Sequence, residues 1–110
     1  LAGLADPRLA KALTAMHEAP KKSWTLDDLA GIAGMSRTRF AEHFRTRIGQ
    51  TPIDYLTVWR MTVACQLLAR GKPVKSVALQ VGYQSAAAFS RVFSRVTGQA
   101  PRNHTPPIAN

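Results

Sequence analysis

The chain carries one pattern twice. Leu26, Leu29, Ala30 and Gly34 stand 48 residues ahead of Val74, Val77, Ala78 and Gly82. Ser36, Phe40, Phe44, Gly49, Gln50 and Pro52 stand 49 residues ahead of Ser85, Phe89, Phe93, Gly98, Gln99 and Pro101, and one extra turn residue, Gln84, accounts for the change of offset. In each copy, apolar side chains recur at helical spacing and a glycine supplies a turn. A serine then stands where it can cap a second helix, and two phenylalanines four residues apart give that helix a buried side. Ten matched positions around one explained insertion restrict the fold to two related helix-turn-helix units in one chain.

The flanking segments complete an all-α reading. Asp6 and Pro7 are an N-cap and first-turn pair, and Leu9, Leu13 and Met16 put one apolar stripe on a helix running to about Glu18, which roofs the first lobe. The run A-P-K-K-S-W is a loop whose Lys21 and Lys22 are either solvated or near a phosphate, with Trp24 expected to pack as a staple rather than to stack on a base. Thr25 and Asp28 form a capping box for a helix from Leu26 to Ala33 that stops at Gly34. Ser36 caps the next helix, in which Phe40, Phe44 and Ile48 are expected to be buried. Thr51, Pro52 and Asp54 then start a connector reaching Arg70. Its apolar residues fall on two faces, Ile53, Leu56, Val63 and Leu67 on one and Met61, Cys65 and Leu68 on the other, as suits a helix packed against both lobes. At 1.5 Å per residue it reaches about 28 Å, close to the roughly 34 Å between successive turns of the major groove. Arg60, among the apolar positions, either snorkels to a phosphate or pairs with a carboxylate of the first lobe. The expected division is a first lobe over residues 1–50, a connector over 51–71, a second lobe over 72–104 and a disordered tail over 105–110.

Charge narrows the function. The formal net charge is +9, and all six carboxylates lie at or before Asp54, so the second half carries basic residues and no Asp or Glu. Such a surface favours a polyanion partner, because each phosphate contact releases counterions; the plainer reading is a soluble basic face. Enzyme chemistry finds no support. His17, His43 and His104 have no metal-ligand spacing with each other or with Cys65, no Gly-rich phosphate loop is present, and no serine or cysteine sits in a nucleophile setting. No cofactor or metal is expected, and no aromatic platform suited to single-stranded RNA is visible. The lone Cys65 can form no internal disulfide, and no stretch approaches a secretion signal or membrane span, so the expected location is the cytoplasm, nucleoid-associated when bound to DNA. The start at Leu1 rather than Met is what a piece of a longer protein would show.

The run V-A-L-Q-V-G-Y-Q-S-A-A-A-F-S-R-V-F-S-R-V-T-G-Q-A-P resembles the C-terminal signature of the AraC/XylS family of bacterial transcription regulators, and A-G-M-S-R-T-R-F-A-E-H-F-R-T-R-I-G-Q-T-P resembles its first half. The resemblance covers roughly residues 6 to 102. It implies sequence-specific binding of double-stranded promoter DNA, two recognition helices in successive major grooves, and RNA polymerase as a further partner. Any effector ligand would act through a separate N-terminal domain that 110 residues do not hold.

On the first recognition helix, Thr38, Arg39, Glu42, Arg45 and Thr46 are expected on the exposed side, with Arg37 and Ala41 flanking. On the second, Ala87, Ala88, Arg91, Ser94 and Arg95 are exposed, with Ala86 and Ser90 at the borders. The expected base contacts are therefore Arg37, Thr38, Arg39, Ala41, Glu42, Ala86, Ala87, Ser90 and Arg91; the expected phosphate contacts are Ser36, Arg45, Lys75, Gln84, Ser85 and Arg95. Arg91 can bond guanine O6 and N7 together, Ala86 or Ala87 can touch a thymine methyl, and the resembled family is commonly basic at the position of Arg91. Where that family is often basic or amide, Glu42 is acidic. It either accepts from cytosine N4 or pairs with Arg39 or Arg45. The competing function is a basic protein-interaction module without DNA readout.

Overall fold

Asp6 begins the first helix by accepting hydrogen bonds from the backbone N–H groups of Arg8 and Leu9, and Pro7 occupies the first turn, where no partner for its missing N–H is needed. The structure is a computed structural model in which residues 6–104 are described; the tail expected over 105–110 lies outside the described residues. Among the described residues six α-helices follow one another: α1 (Pro7–Glu18), α2 (Leu26–Ala33), α3 (Arg37–Ile48), α4 (Pro52–Ala69), α5 (Val74–Gln80) and α6 (Ala86–Thr97), with a 3-10 turn at Pro101–His104. Among the described residues every regular element is helical, as the repeat implied. The chain divides into two compact units between Thr57 and Val58, inside α4.

In the first unit the capping box is complete: Thr25 Oγ1 accepts from the Asp28 N–H at 3.0 Å, and the Asp28 carboxylate accepts from the Thr25 N–H at 3.1 Å. Leu9, Met16, Leu29, Phe40 and Phe44 are fully buried, and Leu56 of α4 joins the same core. Trp24 packs on this cluster as a staple should, its indole N–H donating to the Ala19 carbonyl at 2.9 Å, with Lys22 Nζ 4.1 Å from the ring centroid. Tyr55 stands edge-on to Phe44, and its hydroxyl hydrogen-bonds His17 at 2.7 Å.

The second unit repeats this construction. Met61, Leu68, Val77, Val81, Phe89 and Phe93 form its core. The Phe40–Phe44 rings lie 5.6 Å apart at 54°, and Phe89–Phe93 lie 5.4 Å apart at 50°. The turns match to the hydrogen bond: Met35 N–H donates to the Ala30 carbonyl at 3.0 Å, and Tyr83 N–H to the Ala78 carbonyl at 2.9 Å. Gly34 and Gly82 make both bonds reachable by taking φ of +69° and +96°, where a β-carbon would be strained. Gln84 falls after that bond and before the Ser85 cap, so it lengthens the turn without disturbing the capping on either side.

Several expectations about side-chain placement change. Ile48 is half-buried rather than buried: each four-residue step from Phe40 and Phe44 turns about 40° further round the helix, and α3 ends there at Gly49. Ile53 is 45% exposed, because Pro52 and Leu56, one turn apart, supply the inward face at the start of α4. In the second half of α4 the buried stripe is Met61, Ala64 and Leu68, at helical spacing, while Val63, Cys65 and Leu67 flank it. Ala64 lies on this stripe although Val63 and Cys65 beside it are the more hydrophobic residues. Leu56 thus serves one core and Met61, Ala64 and Leu68 the other, which is the double duty expected of the connector. The Arg60 guanidinium stands 5.7 Å from the Tyr83 ring centroid, a partner not foreseen for it.

Candidate nucleic-acid interface

α3 begins where the Ser36 hydroxyl accepts from the Arg39 N–H. That bond uses a lone pair, so the hydroxyl proton remains able to donate to a phosphate oxygen. At about 100° per residue Glu42 lies opposite Phe40 and Phe44 and forms the crest of the exposed side. Arg37, Thr38, Arg39, Arg45 and Thr46 are exposed with it, and Ala41 is half-buried at the edge. All the expected base contacts of the first unit, with Ser36 and Arg45, are therefore carried by this one helix and its cap.

Among the described residues Glu42 makes no ion pair with Arg39 or Arg45. Of the two roles open to it, the intrahelical pair is not formed. Arg37 Nε lies 3.9 Å from Asp27 Oδ1 of α2, and both groups are well exposed, so the pair is worth at most about 1 kcal/mol and can open to release the guanidinium.

α6 is organised alike. Ser85 accepts from the Ala88 N–H at 3.1 Å, and Gln84 is exposed beside it. Arg91, 49 residues after Glu42, holds the corresponding crest, with Ala87, Ser94 and Arg95 exposed around it. Ala86 and Ser90 are half-buried at the border, as expected, but Ala88 is half-buried too, since it sits one position before Phe89 on the inward shoulder. Lys75 is exposed on α5, so it is the one expected contact of this unit that α6 and its approach do not carry.

A contact the sequence pattern did not reveal braces α3 from behind. His43 Nε2 lies 2.5 Å from Asp6 Oδ2, so the carboxylate that caps α1 also accepts from α3, 37 residues away in sequence. The bond from His43 lowers the Asp6 pKa from 3.8 to about 2, helped by the backbone N–H groups of Arg8 and Leu9 and the Arg8 charge and opposed by burial. Since the folded value is depressed, the stabilisation is fully present above about pH 3.8 and is lost as pH falls towards 2. Asp6→Asn keeps a good N-cap. It is expected to lower the melting temperature at neutral pH and to flatten its fall between pH 4 and 2, measured by circular dichroism; an unchanged acid profile would show that the contact adds no stability. The two partners are remote in sequence, and the only signals were local ones: a cap motif for Asp6 and a lone histidine for His43. Arg8, Arg39, Glu42 and Thr46 border a concavity of about 310 Å³ beside this pair.

No helix among the described residues is long and apolar enough to cross a membrane.

Comparison with known proteins fits this geometry. A helix-turn-helix domain family model matches residues 29–105. A putative AraC-like transcription regulator of Streptomyces lividans is 46% identical over 105 residues, 94% of this chain and 34% of that protein. The chain spans about a third of the length of the curated relatives it matches. Among solved structures, an AraC-type transcriptional regulator from Chromobacterium violaceum aligns with a TM-score of 0.84 at 27% identity, covering 91% of this chain and 90% of that one. The DNA-binding domain of AdpA, described as a global transcriptional factor and solved in complex with a target DNA, aligns with a TM-score of 0.80 at 29% identity, covering 90% and 89%. Together with the repeated turn, cap and phenylalanine pair, these matches establish that the chain belongs to the AraC/XylS family of helix-turn-helix transcription regulators.

Proposed function

We propose that this chain binds double-stranded DNA sequence-specifically as the DNA-reading part of a transcription regulator, with α3 and α6 each entering a major groove. One observation carries the reading: Arg91 stands exposed at the crest of a capped helix, in a unit that contains no Asp or Glu to hold it. A guanidinium so placed can bond guanine O6 and N7 together. The AdpA DNA-binding domain, similar over nine-tenths of the chain and solved with its target DNA, supports DNA as the partner.

In this proposal Arg37, Thr38, Arg39, Ala41 and Glu42 face bases in one groove and Ala86, Ala87, Ser90 and Arg91 in another. Ser36, Arg45, Lys75, Gln84, Ser85 and Arg95 hold phosphates and set register. Glu42, unpaired with its arginine neighbours, accepts from cytosine N4. As further parts of the proposal, the site is promoter DNA, RNA polymerase is the next partner, effector control enters through another domain, and the bound protein is associated with the nucleoid.

Arg91→Ala is expected to weaken binding to the preferred duplex by about 1–3 kcal/mol and relax selectivity at one base pair. Selection of bound duplexes from a random pool, run on wild type and variant, measures both and is expected to return two base clusters about one turn apart. An equal loss on preferred and random DNA would make Arg91 a phosphate contact, and failure to enrich any sequence would leave a basic interaction module as the better account.

A further inference from the structure

The two units differ in how they place positive charge beside the recognition helix. Beside α6 lies a concavity of about 230 Å³, lined by Val74, Ser90, Ser94, Ala100, Pro101 and Arg102. Ser90 and Ser94 are one helical turn apart on the same flank, displaced from the Arg91 crest. Arg102 reaches this flank from the 3-10 turn at Pro101–His104, and that turn is held at both ends. Pro101 is buried, and the His104 ring stands edge-on to Phe93 with centroids 4.9 Å apart. Arg102 itself is exposed, and the unit has no Asp or Glu with which it could pair.

The 49-residue offset shows what the first unit has in the same places. Ser90, Ser94 and Arg102 answer to Ala41, Arg45 and Ile53. In the first unit the guanidinium is on the helix and the residue after the buried proline is an exposed isoleucine; in the second the helix carries a serine and the residue after the buried proline is the arginine. Each copy therefore keeps one guanidinium on this flank, supplied from a different position.

We propose that Arg102, with the hydroxyls of Ser90 and Ser94, forms a seat for a DNA backbone phosphate on the flank of α6, and that it does in the second unit what Arg45 does in the first. The seat rests on the DNA-binding reading above. A flank of a groove-bound helix faces the phosphate ridge rather than base edges, so the contact adds affinity and register without sequence preference. Ser90, at the border between this flank and the base-facing side, adds its hydroxyl to the seat.

The test measures binding of the 110-residue chain to its selected duplex and to a scrambled duplex across about 50–200 mM salt. Arg102→Ala is expected to weaken both by the same factor, about 2–5-fold near 0.1 M, and to reduce the slope of log K against log salt by about 0.9. The double variant Ser94→Arg with Arg102→Ile writes the first unit's arrangement into the second and is expected to restore affinity and slope, with circular dichroism confirming that both variants stay folded. Wild-type affinity and slope in Arg102→Ala would overturn the seat. So would a loss confined to the selected duplex, or a folded double variant that fails to recover. If wild type binds neither duplex at low salt, the DNA-binding reading itself fails; if wild type binds and only these variants depart from expectation, only the seat does.

Discussion

Phe93→Ala is expected to destabilise the second unit by about 3–5 kcal/mol, the largest effect foreseen for any single substitution in this chain. Phe93 is fully buried, its ring meets Phe89 at 5.4 Å and His104 at 4.9 Å, and it belongs to the cluster formed by Met61, Leu68, Val77 and Val81. Removing the ring loses its burial and leaves a cavity that its neighbours can only partly close. A unit of about fifty residues has a total stability of only a few kcal/mol at roughly 0.05–0.15 kcal/mol per residue, so the variant is expected to lose most of its cooperative melt. Phe93→Leu keeps most of the volume and is expected to cost about 1.5 kcal/mol or less. Urea unfolding followed by circular dichroism distinguishes them. A loss below about 1 kcal/mol for the alanine variant would mean that the ring is not packed as described.

The second large effect concerns ionic strength. If Arg45, Lys75, Arg95 and Arg102 each neutralise one phosphate, log K for random duplex should fall against log salt with a slope of about −3.6, so that raising salt from about 50 to about 200 mM weakens binding on the order of 100-fold. Most of this lies in the second unit. Three of these four cations are there, and with no Asp or Glu to offset them its field acts undivided on the polyanion, whereas the first unit holds all six carboxylates of the chain. Neutralising Lys75 and Arg95 together is therefore expected to remove about half of the slope. Fluorescence anisotropy with labelled duplex measures it. A wild-type slope shallower than about −1 would show that cations of this surface do not lie against phosphates.

Much of the fold was legible because the informative signals are local. Thr25 with Asp28, Ser36, Ser85, Asp6 with Pro7, and the turn glycines act within three or four residues of themselves, and each helix start they imply is where the structure has it. The buried phenylalanine pairs follow from helical period alone. The failures share a cause. Ile48 and Ile53 sit at helix ends, where period says which way a side chain points but not how much structure lies there to cover it. Ala64 has too little side chain to stand out in a pattern, yet it lies between Met61 and Leu68 on the inward stripe.

The candidate surface divides in the same way. Which residues share the outer side of α3 or α6, and that Glu42 and Arg91 hold equivalent crests, is fixed by 3.6 residues per turn and by a repeat that any reader of the chain can find. Contacts that join distant stretches depended on folding: the carboxylate of Asp6 meeting His43, the hydroxyl of Tyr55 meeting His17, and Arg102 brought beside Ser90 and Ser94 by a turn anchored on Phe93. The physical reason is range. Hydrogen bonding and periodicity along one helix are set by neighbours in the chain, whereas a guanidinium or carboxylate acquires its partner only after burial of the apolar side chains has decided which helices lie together.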